Sequence, residues 1–300
     1  MAFKFGVIGL GSMGYGIAQS VLRTGHQTYG YDVVPAQQQR FVEEGGSNAK
    51  LADIANSLDG VMIVVLNAAQ TESVLFGEHG IALKMKAGSV ILSCATVPPE
   101  FAVEMEQRCS KLDLLYLDAP ISGGATKAAE GKLSIMASGT PKAFDAAKPL
   151  LDATAETVFK LGDSSGAGSA MKAVNQMLAG SHIAMMAEAM TFGMTQGIEP
   201  STFLDVISKC AGTSWMLENR APHIIDGDYT PRSSVDIWPK DLGIVLDIAK
   251  SAKFSAPMTA AALQQFLAAS GLGLGKEDDA AVAKVYARNA NLTLPTTKAE

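Results

Sequence analysis

"VIGLGSMG", residues 7–14, is the stretch that decides the fold. It places Gly9, Gly11 and Gly14 in the spacing Gly-x-Gly-x-x-Gly, after an apolar strand candidate and at the opening of a helix candidate. Each glycine has a mechanical reason. Gly9 permits a tight turn, Gly11 lets backbone approach a pyrophosphate, and Gly14 lets the helix pack closely on the strand. Ser12 and Met13 begin that helix, whose first N–H groups lack intrahelical acceptors and can face phosphates. The next strand candidate, "QTYGY" (27–31), runs into Asp32, 18 residues past Gly14. An acidic side chain there accepts hydrogen bonds from an adenosine ribose. The alternative is a glycine turn with an ordinary surface aspartate. Strand, loop, helix and acid together weigh against it.

Outward from this unit, short apolar strands alternate with helices. Further strand candidates are 61–66, 89–94, 114–119 and 133–138, with helical segments at 13–24, 35–44, 98–110 and 141–152. The rhythm predicts an α/β fold with a doubly wound, Rossmann-type parallel sheet covered on both faces. After "VFKLG" (158–162) the strand pattern stops, and residues 165–289 read as helical, with loops near 196–200, 211–214, 226–234 and 271–277. Two domains are expected: a dinucleotide-binding domain over 1–162 and an all-helical substrate and dimerisation domain over 163–300. The final stretch "NLTLPTTKAE" reads as a frayed tail.

Composition narrows the function classes. The chain has 300 residues, 48% hydrophobic and 18% charged, with a formal net charge of −6. Its basic residues are scattered, which argues against a nucleic-acid surface. Cys94, Cys109 and Cys210 are far apart and lack metal-site spacing, so they read as reduced thiols rather than metal ligands or disulfides. No apolar run approaches the roughly 18 residues that a membrane helix needs. The N-terminus enters a strand pattern at once, without a signal or transit segment. The expectation is a soluble cytoplasmic protein.

Ligands of parallel sheets collect outside the carboxyl ends of the strands. Leu66-Asn67 end the candidate strand 61–66, and "ATVPP" (95–99) follows 89–94. Thr96 there is either a helix cap or a cofactor contact. "DAPISGG" (118–124) supplies Ser122, Gly123 and Gly124, a small-residue loop that is either a plain turn or a cradle of one hydroxyl and bare N–H groups for a carboxylate. Then comes "SAMKAVNQML" (169–178). Between Ala167 and Met194 the only formal charges are Lys172 and Glu188. A helix apolar nearly all round is normally buried, and lysine is rarely fully buried without a partner. Lys172 and Asn175, three residues apart, face one side. A snorkelling lysine is the bland reading. Lys240, in "WPKDLG", reads on pattern alone as a solvated lysine beside an aspartate.

The ordered set "GLGSMG" with Asp32, "LNAAQ", "ATVPPE", "DAPISGGATKAAEGKLSIMASG", "GAGSAMKAVNQ" and "WPKDLGIVLD" resembles the β-hydroxyacid dehydrogenase family along essentially the full length. The resemblance implies a long helix starting near Ser165 and homodimers or homotetramers built through the helical domain. It implies that Lys172 is the catalytic lysine and that Ser122, Gly123, Gly124 and Asn175 hold a small hydroxy acid. It also implies that Thr96 and Lys240 contact the nicotinamide end of the cofactor. Where the family often has Asn-Asn, this chain has Asn175-Gln176, so only Asn175 is carried over. Residues 214–247 are most similar to the branch that oxidises the C2 hydroxyl of L-threonate. The polar runs "SWMLENR" (214–220) and "RSSVD" (232–236) either line a polyhydroxy substrate or form ordinary solvated surface.

These features together give the expected chemistry. Oxidising an alcohol with NAD sends a hydride to the nicotinamide and releases a proton. A lysine in an apolar setting has its pKa lowered by desolvation and can receive that proton. An imine reductase on the same fold usually lacks this lysine. A silent NAD-binding protein has no need of Lys172, Asn175, Ser122 and Lys240 together. 6-Phosphogluconate dehydrogenase has a much larger helical domain than this chain can hold.

Overall fold

A computed structural model describes residues 3–296. The chain divides into two compact units, one running through Lys172 and the other beginning at Ala173.

The first unit is built on strands β1 (Lys4–Ile8), β2 (Gln27–Tyr31), β3 (Gly60–Ile63), β4 (Val90–Ser93), β5 (Leu115–Asp118), β6 (Ile121–Ser122), β7 (Leu133–Ser138) and β8 (Ala155–Gly162). They form one sheet in the order β2-β1-β3-β4-β5-β7-β6, with β8 paired to β7. The first five are parallel, with Val7 opposite Gly30 and Met62 in adjacent strands. Helices α1 (Ser12–Arg23), α2 (Pro35–Glu43), α3 (Leu51–Ile54), α4 (Ala68–Phe76), α5 (Pro99–Ser110), α6 (Gly124–Glu130) and α7 (Pro141–Thr154) link them. Both faces are covered, and alternation along the strands shows it. Val7, Val90 and Leu92 join a core with Ile17 and Val21 of α1, whereas Ile8 and Ile91 join a core with Leu75 and Met105.

The expected parallel sheet is present, and one strand departs from its direction. β7 runs antiparallel to β5 and β6. β6 continues the line of β5 past Pro120, both pairing antiparallel with β7, and the chain turns back through α6; residues 123–132 are fewer than the dozen or more that a parallel crossover requires.

Helix α8 (Ala167–Thr195) is 29 residues long. The second unit adds α9 (Pro200–Ile207), α10 (Trp215–Asp226), α11 (Ile237–Ser251), α12 (Pro257–Ala269) and α13 (Ala283–Asn289). Its core gathers Ile183, Met186, Ala187 and Met190 of α8 around Leu217, Ile224, Leu242 and Phe266. Trp238 stacks on Phe266 with ring centroids 5.5 Å apart. Gly180 is required there, because a Cβ would lie 2.8 Å from the Trp238 ring.

Helix α8 is not buried all round in the single chain. Met171, Val174, Leu178, Met185 and Phe192 are each 45–66% exposed. The hydrophobic pattern alone could not tell a core helix from one whose second apolar face is left for another surface. The stretch taken as a frayed tail is partly anchored. Residues 292–296 have no regular structure, yet Leu294 packs against the second core. Residues 297–300 lie outside the described residues.

Candidate functional site

The glycine turn has the geometry its spacing predicts. Gly9 sits at φ +95°, where a Cβ would lie 2.3 Å from the Val64 carbonyl oxygen. At Gly14 a Cβ would stand 1.8 Å from the Gly9 carbonyl oxygen, so only glycine lets α1 start this close to β1. Gly11 caps α1 in extended conformation, and a Cβ there would meet no protein atom within 4 Å. Ser12 and Met13 follow as the first helical residues. Asp32 is tied into the turn. Its carboxylate accepts the Leu10 N–H at 2.6 Å and the Val34 N–H at 2.8 Å. The room at Gly11, the helix N-terminus and the carboxylate at the end of β2 fit a dinucleotide.

The other strand-end residues divide by role. Asn67 caps α4, its side chain accepting the Gln70 N–H at 2.8 Å, while the Leu66 N–H donates to the Gln70 side chain. Thr96 is not a cap. Helix α5 begins at Pro99 with Pro98 as its cap residue and no side-chain capping bond.

Lys172 is 8% exposed, and its Nζ donates to the Ile121 carbonyl at 2.9 Å. Ile121 immediately precedes Ser122, Gly123 and Gly124. Gly123 and Gly124 have φ of +136° and +77°, a backbone that side chains disfavour. The structure thus brings Lys172 to the small-residue loop.

One residue here was missed by sequence reasoning. Asp118 ends β5, is 1% exposed, and closes the first turn of α8. One oxygen accepts the Ser169 hydroxyl at 2.7 Å. The other accepts the N–H groups of Gly166 at 3.0 Å and Ser169 at 2.8 Å, and the Ser138 hydroxyl at 3.2 Å. Burial pushes its carboxyl above the ordinary value, and the hydrogen bonds from Ser169, Gly166 and Ser138 oppose that rise. An anion at a partly buried helix N-terminus can contribute up to about 2 kcal/mol. Gly168 is held by the same packing, since a Cβ would lie 2.4 Å from the Met136 carbonyl oxygen. A sequence signal existed, the small residues of "GAGSA", but nothing in it pointed to an aspartate 51 residues earlier.

In the second unit Asn175, Gln176, Lys240 and Asp241 form a polar chain. Asn175 Nδ2 donates to Gln176 Oε1 at 2.9 Å, and Gln176 Nε2 donates to Asp241 Oδ2. Lys240 Nζ lies 2.6 Å from Asp241 Oδ1, with the lysine 28% and the aspartate 3% exposed at the side chain. Gln176, passed over as a departure from Asn-Asn, is what links Asn175 to Asp241. Lys240 is accordingly not the plain solvated lysine its pattern suggested. The polar runs have structural partners instead. Ser214 caps α10 by accepting the Leu217 N–H, Glu218 accepts the Thr213 hydroxyl, and Arg220 pairs with the buried Asp279. Arg232 pairs with Asp228.

Comparison with known proteins agrees with this layout. A domain family described as the NAD binding domain of 6-phosphogluconate dehydrogenase matches residues 4–162. One described as NAD-binding of NADP-dependent 3-hydroxyisobutyrate dehydrogenase matches residues 166–286. The L-threonate dehydrogenase of Cupriavidus necator is 50% identical over 287 residues, covering 95% of this chain and 97% of that protein. The L-threonate dehydrogenase of Escherichia coli K12 is 44% identical over 298 residues, covering 99% and 98%. A crystal structure of 3-hydroxyisobutyrate dehydrogenase from Salmonella typhimurium superposes with a TM-score of 0.90 at 47% identity, covering 94% of this chain and 99% of that one. The chain belongs to the β-hydroxyacid dehydrogenase family and is an NAD(P)-binding oxidoreductase acting on a hydroxy acid.

Proposed function

We propose that the enzyme oxidises L-threonate at its C2 hydroxyl to 2-dehydro-L-erythronate, with NAD as the cofactor and Lys172 as the general base. The observation that carries this reading is Lys172 Nζ at 2.9 Å from the carbonyl that precedes the Ser122–Gly124 loop. The L-threonate dehydrogenases at 44–50% identity support the substrate.

NAD would be held by Gly9, Gly11, Ser12, Met13, Gly14, Asp32, Leu66 and Asn67, with Thr96 and Lys240 toward its nicotinamide end. When bound, it supplies the hydride acceptor. The chain's residues do the rest. Ser122, Gly123 and Gly124 offer one hydroxyl and bare N–H groups to the substrate carboxylate, bonds worth roughly 1.5–3 kcal/mol each to a charged group. Lys172 receives the hydroxyl proton as the alkoxide develops, and returns it in the reverse direction. Asn175, three residues on along α8, orients the same substrate. Ser214, Glu218 and Arg220 already have structural partners, so the substrate assignment rests on the carboxylate loop and the L-threonate dehydrogenase relatives.

The exposed stripe of α8 from Met171 to Phe192 is the surface through which copies of the chain would associate as a homodimer or homotetramer. The three cysteines are free thiols, which fits a reducing, cytoplasmic setting. Among the described residues no helix is long and apolar enough to cross a membrane.

Initial rates with NAD against L-threonate, erythronate, glycerate, 3-hydroxyisobutyrate and 3-hydroxypropionate test the substrate. The highest kcat/KM is expected for L-threonate. A higher value for 3-hydroxyisobutyrate, the substrate named for the Salmonella structure, would transfer the assignment to that acid.

A further inference from the structure

Two contacts join β5 and β6 to the start of α8, in the same order along both segments. Asp118 meets Ser169, and three residues further on each side Ile121 meets Lys172. Three residues along a helix are close to one turn, so Ser169 and Lys172 present the same side. The Asp118 contact is the more heavily bonded of the two. Both Asp118 oxygens are taken, by Ser169, Gly166 and Ser138, and the side chain is 1% exposed. It is therefore closed off from substrate and cofactor, and any influence on the reaction must pass through the groups it holds. Gly168, whose N–H donates to the Ser138 hydroxyl at 2.9 Å, ties the same turn to the end of β7.

We propose that Asp118 is a positioning residue for the reaction: by clamping the first turn of α8 to the end of β5, it fixes Lys172 against the Ile121–Gly124 loop. This rests on the reading of Lys172 as the proton acceptor. Asparagine at 118 keeps the shape but replaces one acceptor oxygen with an N–H₂ group. Set toward the Ser169 hydroxyl, which can turn to accept from it, that group still removes the carboxylate charge that the Gly166 and Ser169 N–H groups bind, and the clamp slackens. Misplacing a reacting group by about 1 Å can cost on the order of a hundredfold in rate.

The test compares Asp118→Asn, Ser169→Ala, Lys172→Ala and a control, Ser89→Ala. Ser89 makes a buried hydrogen bond to the Leu58 carbonyl at 2.7 Å, before β4 and at the opposite end of the parallel strands. Measured are kcat for hydroxy-acid oxidation, NADH Kd by fluorescence, and Tm. Asp118→Asn is expected to lower kcat by about tenfold or more with NADH Kd unchanged. Ser169→Ala is expected to lower kcat less, and Ser89→Ala to lower Tm without lowering kcat. Should Asp118→Asn not fold, Ser169→Ala decides the question by the same split between kcat and Kd. Wild-type kcat in the folded Asp118 variant, or in Ser169→Ala if that variant decides, overturns the proposal when Lys172→Ala is inactive. So does a kcat loss matched by Ser89→Ala. Wild-type kcat in Lys172→Ala would instead overturn the reading beneath it.

Discussion

The Lys172 side chain donates to the backbone carbonyl of Ile121 at 2.9 Å, one residue before Ser122. The amine and the small-residue loop are thereby one mechanical unit. A lysine that only snorkelled to solvent would have no reason to end on a carbonyl at 8% exposure.

Gly14→Ala is expected to abolish dinucleotide binding. The added Cβ would stand 1.8 Å from the Gly9 carbonyl oxygen, so α1 must move away from β1. Overpacking of this kind costs about 1–3 kcal/mol, which a lower Tm would show. NADH titration by fluorescence checks the binding, and a wild-type Kd would contradict the steric account of the turn.

NAD should be preferred over NADP. The 2′-phosphate would meet Asp32 as a like charge, at a cost of a few kcal/mol. Arg40 offers little compensation, since it lies 4.2 Å over the Tyr15 ring and 3.1 Å from Glu44. Asp32→Asn is expected to narrow the preference and also to weaken NAD binding, because Asp32 accepts the Leu10 and Val34 N–H groups. The ratio of kcat/KM for the two cofactors measures both, and a ratio at or below one in the wild type contradicts the role of Asp32.

Thiol chemistry should single out Cys210, the exposed cysteine. Burial pushes Cys94 and Cys109 up to about 12. Raised values favour the neutral thiol, so at pH 8 roughly one molecule in ten thousand carries a thiolate at either site. Labelling with a disulfide reagent at pH 8 should modify one cysteine quickly in the native protein and three after denaturation. Rapid native labelling in Cys210→Ser would show that the buried thiols are accessible.

The dinucleotide turn was legible because its glycine spacing is a local pattern: at Gly14 a side chain is excluded by the carbonyl of Gly9, the first glycine of the same motif, although Gly9 itself is confined by Val64, distant in sequence. Lys172 was legible because a charge on an apolar helix demands a reason. The direction of β7 was not, since its strand pattern is the same whichever way it runs and the short connection through α6 decides it. Asp118 was hidden in "DAPISGG" because its partners lie 20 to 51 residues later, at Ser138, Gly166 and Ser169. Gln176 was hidden because its significance lies in reaching Asp241, 65 residues away. The polar runs at 214–220 and 232–236 left both readings open. A charge pattern does not say whether its partner is a substrate or, as for Arg220, a buried Asp279.

The central claim is that Lys172 moves the proton, and kinetics of Lys172→Ala beside NADH binding test it most directly. Removing a general base costs typically 10²–10⁴-fold, a loss expected mainly in kcat because proton transfer belongs to the transition state. The account predicts that loss in kcat with an unchanged Kd for NADH. A folded Lys172→Ala enzyme that turns over near the wild-type rate would contradict it and make the lysine structural.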